Sequence, residues 1–485
     1  MPRGGKRSRL GIYHAAMKLE GHTILPVPLA ERHGRARDLF TVWFGTNLML
    51  LTVVTGALAV TVFHLPFGPA VLSLIVGNLI GGVFMALHAA QGPTLGVPQM
   101  VQTRAQFGSV GALVVLLVVI VMYVGFFASN LELGAETIHA IRPHADEATS
   151  IVILGILSIT GTILGYDVIH VLTRFITYAS GAAFLLTFAW LVPDAHLLSL
   201  SAGNSLSIQG VLGAISVAAL WQIAYAPYVS DYSRYLPAVT GVRTAFWATY
   251  SGSVFGSTLP MVVGALIGSI TAGDGIIPAL ASLTRAIAPV TMIVFSLAMI
   301  ANNAMNVYCG ALSSLTVLQT WRPRWHPGWR ARAITSLVLL GVALSLATAG
   351  RKSFLDSYTN FILLLFYVLI PWTAINLTDY YVMKRGHYDV ASFFRQDGGI
   401  YGRFNIPALA CYFLGILVQL PFVSTPMYQG PIARKLGGAD LSWLIGLIVT
   451  SLAYYILARR FPSLRPNPPD PAHCGVAPDK SGYIP

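Results

Sequence analysis

The chain has 485 residues, 55% of them hydrophobic and only 10% charged, with a mean hydropathy of +0.68. Soluble proteins carry about 25% charged residues, so this composition excludes a soluble globular fold and predicts an all-α polytopic membrane protein. The net charge of +12 does not indicate a nucleic-acid partner, because the Lys and Arg residues concentrate in alternate loops.

Twelve apolar runs are long enough to cross a bilayer, which takes roughly 20 residues per helix. They cover residues 39–63, 70–90, 110–135, 149–169, 174–193, 209–233, 245–270, 286–318, 334–350, 357–382, 404–424 and 440–458. We therefore predict twelve transmembrane helices. The loops between them are too short for a soluble catalytic domain, which argues against an enzyme.

The basic loops also predict the topology. By the positive-inside rule both termini are cytoplasmic, and the expected location is the inner or plasma membrane of the cell. The N-terminus lacks the short apolar region of a cleavable signal peptide. We predict a basic cytoplasmic segment over residues 1–38 and a disordered, Pro-rich cytoplasmic tail over 461–485. Cys309, Cys411 and Cys474 show neither disulfide nor metal-ligand spacing, and no cofactor is expected.

The first span is interrupted by small and polar residues, at Gly45, Thr46, Asn47 and Gly56. Such interruptions are tolerated where the freed backbone groups line a cavity inside the protein. Close packing through small residues is the alternative interpretation. Asn47 favours the cavity, since a carboxamide in an apolar span is costly unless it is paired.

The third span contains the sequence "GFFASNLELG", residues 125–134. Phe126 and Asn130 are four residues apart and share a helix face. Glu132 is an ionisable group inside a span and is by default a functional candidate. Alternatively, Glu132 lies close enough to the outer end of the span to reach water, with Glu136 one turn further along.

The sixth span carries Trp221 and Gln222 shortly before Pro227, which should break or kink the helix. Trp221 lies about 18 Å into the span, too deep for an interfacial anchor. An indole ring and an adjacent amide indicate a stacking surface beside a hydrogen-bonding group.

The eighth span contains three carboxamides in an uncharged run, Asn302, Asn303 and Asn306. Asn302 and Asn306 share a face, whereas Asn303 points about 100° away. Asparagines can join neighbouring helices by hydrogen bonds, each of which stabilises the pair by about 0.6 kcal/mol on average. Three within five residues fit that interpretation poorly and favour a ligand site.

The first and sixth spans, and the third and eighth, carry similar polar interruptions five spans apart. Such pairing is typical of transporters with inverted repeats and a central site. We therefore predict a transporter domain over residues 39–460, with repeats at 39–193 and 209–382 and two extra helices at 404–460. Amides and aromatic rings suit a small, neutral, flat, hydrogen-bonding solute.

Four stretches give the chain a family resemblance: "GPTLGVPQMVQTRAQFGSVGA" (92–112), "DYSRYLP" (231–237), "NNAMNVY" (302–308) and "NLTDYYVMKRGHYDV" (376–390). Together they resemble the purine–cytosine permeases of the nucleobase–cation symporter-1 family, which carry cytosine, purines, allantoin or hydantoins. The resemblance implies the five-plus-five inverted-repeat fold of the sodium-coupled leucine transporter with two C-terminal helices added.

The resemblance also implies the substrate-binding residues. The family's aromatic stacking residue falls on Phe126, with its polar partner on Asn130, and a second contacting pair falls on Trp221 and Gln222. An eighth-span contact falls on Asn302 or Asn303, and a first-span contact falls near Asn47. Asn306, which shares a helix face with Asn302, is a further candidate from its own polarity in an apolar span. The function expected is symport of a nucleobase or related heterocycle with a cation.

The candidate positions for the coupling ion are Trp43, Thr46, Glu132 and Ala301. Sodium-coupled members tend to carry hydroxyl residues just before the eighth-span asparagine. Here those positions are Ala301 and Asn302, which favours H⁺ over Na⁺, with Glu132 as a carrier of the proton. Rival interpretations are a carrier of the same fold for an amino acid or vitamin-like solute, and a channel.

Overall fold

The computed structural model describes residues 23–164, 166–191, 205–271, 275–350, 354–425 and 427–460, and these are almost entirely helical. The predicted tail and most of the predicted N-terminal segment lie outside these residues. The helices are α1 (Ala36–Asn47), α2 (Leu50–Thr61), α3 (Phe67–Ala89), α4 (Gly92–Leu95), α5 (Gln99–Phe107), α6 (Leu113–Ile141), α7 (Glu147–Leu164), α8 (Tyr166–Leu191), α9 (Ile208–Ala224), α10 (Val229–Ser233), α11 (Val242–Ile270), α12 (Ile276–Thr284), α13 (Ala288–Trp321), α14 (Trp329–Gly350), α15 (Phe354–Leu377), α16 (Ile406–Gln419), α17 (Pro431–Lys435) and α18 (Ser442–Arg460).

The prediction of an all-helical, multi-pass protein is confirmed. Within the described ranges, nine helices are long and apolar enough to cross a membrane, or ten if α1 and α2 form one bent span. Two shorter apolar helices, Glu147–Thr160 and Ile406–Phe422, lie where two more spans are predicted. The total of twelve spans and the five-plus-five repeat stay predictions.

Two spans are broken near their middles. α1 and α2 meet at an angle of 60° around Leu48 and Met49, just after the polar residues of the first span. Between α9 and α10 the α-helix gives way to turns at Tyr225–Tyr228, around Pro227. The Pro227 carbonyl oxygen accepts a hydrogen bond of 2.9 Å from the Tyr123 hydroxyl, so α6 stabilises this break.

The broken helices pack tightly on α3 and α11. Gly56 on α2 lies against the α11 backbone, where an added Cβ would collide with Met261. Gly264 on α11 lies equally close to the carbonyl oxygen of Val53. Small residues therefore allow α2 and α11 to approach within backbone contact, as spanning helices commonly do. On the other side, α13 packs against α6, α7 and α8.

Helices α4, α5 and α12 were not predicted. α5 is a nine-residue helix whose side chains are all buried, and it lies in the segment expected to be a loop between the second and third spans. α16 and α18, the two extra helices, pack against each other and against α15. The two helix breaks, together with α6 and α13, surround a cavity.

Candidate functional site

A narrow cavity lies between the two helix breaks and helices α6 and α13. Its lining residues are Met49, Phe126, Trp221, Ala224, Tyr225, Tyr228, Asn302 and Asn306. The cavity has room for about one water molecule. Four of the eight predicted substrate contacts line it: Phe126, Trp221, Asn302 and Asn306. The others, Asn47, Asn130, Gln222 and Asn303, lie behind the lining.

Aromatic rings form one side of the cavity. Phe126 meets Trp221 edge to face, with ring centroids 6.2 Å apart and planes at 82°. Tyr225 packs against Trp221 at 5.8 Å and against Tyr228 at 5.4 Å. The two tyrosines were missed by the sequence analysis. The signal for Tyr225 was its position four residues after Trp221, which is one turn of helix.

The opposite side is an asparagine cluster, formed by Asn130, Asn302, Asn303 and Asn306. Asn130 Nδ2 donates hydrogen bonds of 3.0 Å to the Oδ1 atoms of Asn302 and Asn303. Asn306 Nδ2 donates to the same two oxygens at 3.2 Å. All four side chains are buried. These bonds fix the orientations of the Asn302 and Asn306 carboxamides, which line the cavity.

Two amide groups of the cluster remain directed at the cavity lining. Asn306 Oδ1 accepts a hydrogen bond of 2.7 Å from the Tyr228 hydroxyl. Among the described residues, Asn302 Nδ2 makes two long hydrogen bonds, to the Thr46 carbonyl oxygen at 3.3 Å and to the Tyr225 hydroxyl at 3.4 Å. The cavity therefore presents an acceptor and a donor one helical turn apart on α13.

A second polar network, which we call the amide chain, lies behind Trp221. Trp221 Nε1 donates to Asn47 Oδ1 at 2.7 Å, and Asn47 Nδ2 donates to Ser253 Oγ at 3.2 Å. Ser253 Oγ donates to Gln222 Oε1 at 2.5 Å. Asn47 therefore accepts the hydrogen bond of the Trp221 indole and does not contact the cavity, and the Gln222 side chain points away from the cavity.

The amide chain continues from Gln222 to helix α3. Gln222 Nε2 donates at 2.7 Å to both Asn78 Oδ1 and Ser257 Oγ. Asn78 Nδ2 donates to the Leu74 carbonyl oxygen at 2.9 Å. Asn78, Ser253 and Ser257 were missed by the sequence analysis. The sequence signal that could have found them is a polar side chain inside an apolar span. The two serines are also four residues apart and so share a helix face.

The four candidate coupling-ion positions divide into two places. Trp43, Thr46 and Ala301 are buried near the first break. Thr46 Oγ1 donates to the Val42 carbonyl oxygen at 2.7 Å, and Ala301 contributes no polar side-chain atom. The fourth position, Glu132, is on α6, and its side chain lies beside the C-terminal end of α14. A Cβ added to Gly350 would be 3.0 Å from Glu132 Oε2.

Two charged groups stabilise the packing outside the cavity. The buried Asp379 accepts hydrogen bonds from the hydroxyls of Tyr388 at 2.6 Å and Tyr454 at 2.9 Å. It thereby joins the π-helical turn after α15 to α18 and to the following loop. Burial and the negative Asp379 raise the pKa of Tyr388, so its hydroxyl stays protonated and donates.

The second charged group, Arg104 on α5, is buried and donates four hydrogen bonds. Two reach Gln319 Oε1 at 2.7 Å and the Thr316 carbonyl oxygen at 2.7 Å on α13, and the others reach Phe393 and Thr320. Burial lowers the pKa of Arg104 to about 10. Among the described residues, no group of three His, Cys, Asp or Glu side chains could hold a metal ion.

The chain is similar in sequence to known permeases. A family model described as "Permease for cytosine/purines, uracil, thiamine, allantoin" matches residues 26–446. The Bacillus subtilis (strain 168) protein YxlA, provisionally named a purine-cytosine permease, is 39% identical over 452 residues, which cover 91% of this chain and 96% of that protein. The purine-cytosine permease fcyB of Emericella nidulans is 26% identical, over 91% of this chain and 89% of its own.

A solved structure shows the same fold. MHP1, a nucleobase-cation-symport-1 family transporter in a closed conformation with bromovinylhydantoin bound, superposes with a TM-score of 0.73. The alignment covers 92% of this chain and 97% of that one at 18% identity. At this identity the likeness concerns the fold.

Proposed function

Because the chain belongs to the family of permeases for cytosine and purines, uracil, thiamine and allantoin, we propose that it imports a nucleobase or related heterocycle together with a cation. The observation that carries this proposal is the pairing of a hydrogen-bond acceptor and donor with aromatic faces in one buried cavity. Asn306 Oδ1 is the acceptor and Asn302 Nδ2 is the donor.

This pairing matches the edge of a nucleobase. Bases present a donor next to an acceptor, as adenine does with its amino group and N7, and asparagine reads that pair with its own oxygen and nitrogen. Aromatic side chains stack on the flat face of any base. None of the eight lining residues is charged, which supports a neutral substrate.

Substrate entry requires the walls of the cavity to separate, because the cavity now has room for about one water molecule. The two helix breaks supply the moving parts. In this proposal the chain has twelve spans in a five-plus-five inverted repeat, both termini are cytoplasmic, and it lies in the cell membrane. One group of helices rocks against the other, so that the site opens alternately to each side.

A proton is the preferred coupling ion in this proposal. Ala301 offers no side-chain oxygen to a sodium ion, and the Thr46 carbonyl oxygen already accepts a hydrogen bond from Asn302. The position of Glu132 beside α14 keeps its carboxylate apart from the cavity lining, so a role for Glu132 would be indirect.

The test is uptake of radiolabelled adenine into proteoliposomes, with cytosine, hypoxanthine, allantoin and hydantoin as competitors. We expect saturable uptake that is driven by an inward proton gradient and reduced by at least one competitor. Failure of all these compounds, with transport of an amino acid or vitamin instead, would overturn the substrate proposal. Uptake that survives on a sodium gradient alone would overturn proton coupling, and flux that does not saturate would indicate a channel.

A further inference from the structure

We propose that Asn78, Ser253 and Ser257, which do not line the cavity, set the substrate preference by holding the Trp221 ring in one orientation. These three residues would act as positioning residues, through the amide chain described above. The inference rests on the proposed function, since it concerns the aromatic face on which the base would stack.

The hydrogen bonds of the amide chain run in one direction. The Trp221 indole can only donate, so it fixes the Asn47 oxygen as the acceptor and leaves the Asn47 nitrogen to donate to Ser253. Ser253 then donates to the Gln222 oxygen, which turns the Gln222 nitrogen toward Asn78 and Ser257. Each side chain thus has one orientation that satisfies both neighbours.

Burial makes these orientations strict. The side chains of the amide chain have at most 1% of their surface exposed. In a buried network a group that loses its partner has no water to replace it, so one altered member disturbs the rest. A change at Ser253 or Asn78 therefore reaches Trp221 through bonds of 2.5–3.2 Å.

The orientation of Trp221 matters because its ring is part of the cavity lining, whereas its only polar atom points into the amide chain. The ring meets Phe126 at 82°, so a rotation of the indole changes the width and angle of the aromatic slot. One-ring and two-ring bases differ in the stacking area that they need. The amide chain thereby influences which base fits.

A merely structural role for the chain is the competing explanation, and the experiment separates the two. Ser253→Ala removes the hydroxyl between Asn47 and Gln222. Ser251→Ala is the matched control on the same helix, because Ser251 is partly exposed and its hydroxyl, among the described residues, donates to the Trp247 carbonyl oxygen at 2.6 Å. Ser253→Thr restores a hydroxyl and should restore the wild-type preference.

The readout is the ratio of inhibition constants for adenine and cytosine in the uptake assay, together with the thermal unfolding temperature. We expect Ser253→Ala and Ser257→Ala to change the ratio by roughly 2- to 12-fold, the range that one hydrogen bond covers, with Ser251→Ala unchanged. A lowered unfolding temperature with an unchanged ratio would overturn the proposal.

A second measurement keeps the test independent of transport. The tryptophan emission of the protein minus that of its Trp221→Phe variant reports the environment of the Trp221 indole. Ser253→Ala should shift this difference spectrum, and Ser251→Ala should leave it unchanged. If the wild type transports none of the bases, the proposed function is wrong, but the shift of the difference spectrum still tests the positioning role. An unshifted spectrum would refute the positioning role.

Discussion

Asn306 and Asn303 are near neighbours on α13, and of the two only Asn306 lines the cavity, so their alanine variants test the site directly. Asn306→Ala removes an oxygen at the cavity lining and, in the proposed function, would leave a hydrogen-bond donor of the substrate without a partner. An unsatisfied buried donor costs about 1–3 kcal/mol, which is about a 5- to 150-fold loss of affinity. Asn303→Ala removes hydrogen bonds inside the asparagine cluster. Each such bond contributes about 0.6 kcal/mol on average, which corresponds to about a threefold change in affinity.

The assay is competition by unlabelled adenine against labelled adenine uptake, with protein abundance measured in the same membranes. We expect the inhibition constant to rise much more for Asn306→Ala than for Asn303→Ala. Both side chains are on α13, and both variants break hydrogen bonds of the asparagine cluster at 3.0–3.2 Å, so general damage would affect them alike. Equal losses in the two variants, or a larger loss for Asn303→Ala, would refute our account of which amide reads the substrate.

Three further predictions concern the framework around the site. Gly264→Ala forces a methyl group against the backbone of α2, and this overpacking should cost about 1–3 kcal/mol and lower the unfolding temperature. Gly341→Ala is the control, because a Cβ at Gly341 would have no atom within 4 Å and should leave the unfolding temperature unchanged. Equal effects of the two substitutions would contradict the packing argument. Tyr388→Phe removes a donor to the buried Asp379 and should cost about 1.5–3 kcal/mol in thermal unfolding at pH 7. Because the pKa of Tyr388 is raised in the folded state, the stabilising effect of its hydroxyl should be complete below the unfolded pKa of about 10 and should decline above it. As the pH rises above about 10, the wild type should therefore lose more stability than Tyr388→Phe. Parallel plots of unfolding temperature against pH for the two proteins would contradict this. Arg104→Lys keeps the charge but loses the planar fork that donates four bonds, and it should lower the unfolding temperature; a fully stable Lys variant would show that charge alone suffices.

The spans could be predicted from the sequence because lipid imposes a simple rule. Each predicted apolar run falls on a helix in the described parts of the chain, since backbone groups in a bilayer must pair within their own segment. Helix α5 could not be predicted in this way. It is only nine residues long and includes Arg104, and its burial depends on α13 and the 383–403 segment, which are distant in sequence.

The candidate site was predictable where helical spacing applies and unpredictable elsewhere. Asn302 and Asn306 share a face at a spacing of four, and the structure brings both to the cavity. Gln222 follows Trp221 directly, so the two side chains point about 100° apart, and the partners of Gln222 belong to other helices. Tyr228 lies in the helix break, where the period of 3.6 residues no longer predicts direction.

The three hydrogen bonds that Asn302 and Asn306 make to the broken helices join the two walls of the cavity. The bond between Tyr228 and Asn306 is 2.7 Å, and the two bonds from Asn302 are long, at 3.3 and 3.4 Å. A hydrogen bond contributes about 1 kcal/mol net, so thermal motion can break these contacts one at a time. In the proposed transporter the same amide atoms would hold the walls together and bind the substrate. Substrate entry would then exchange one set of hydrogen bonds for another, so that separating the walls leaves few amide groups without a partner.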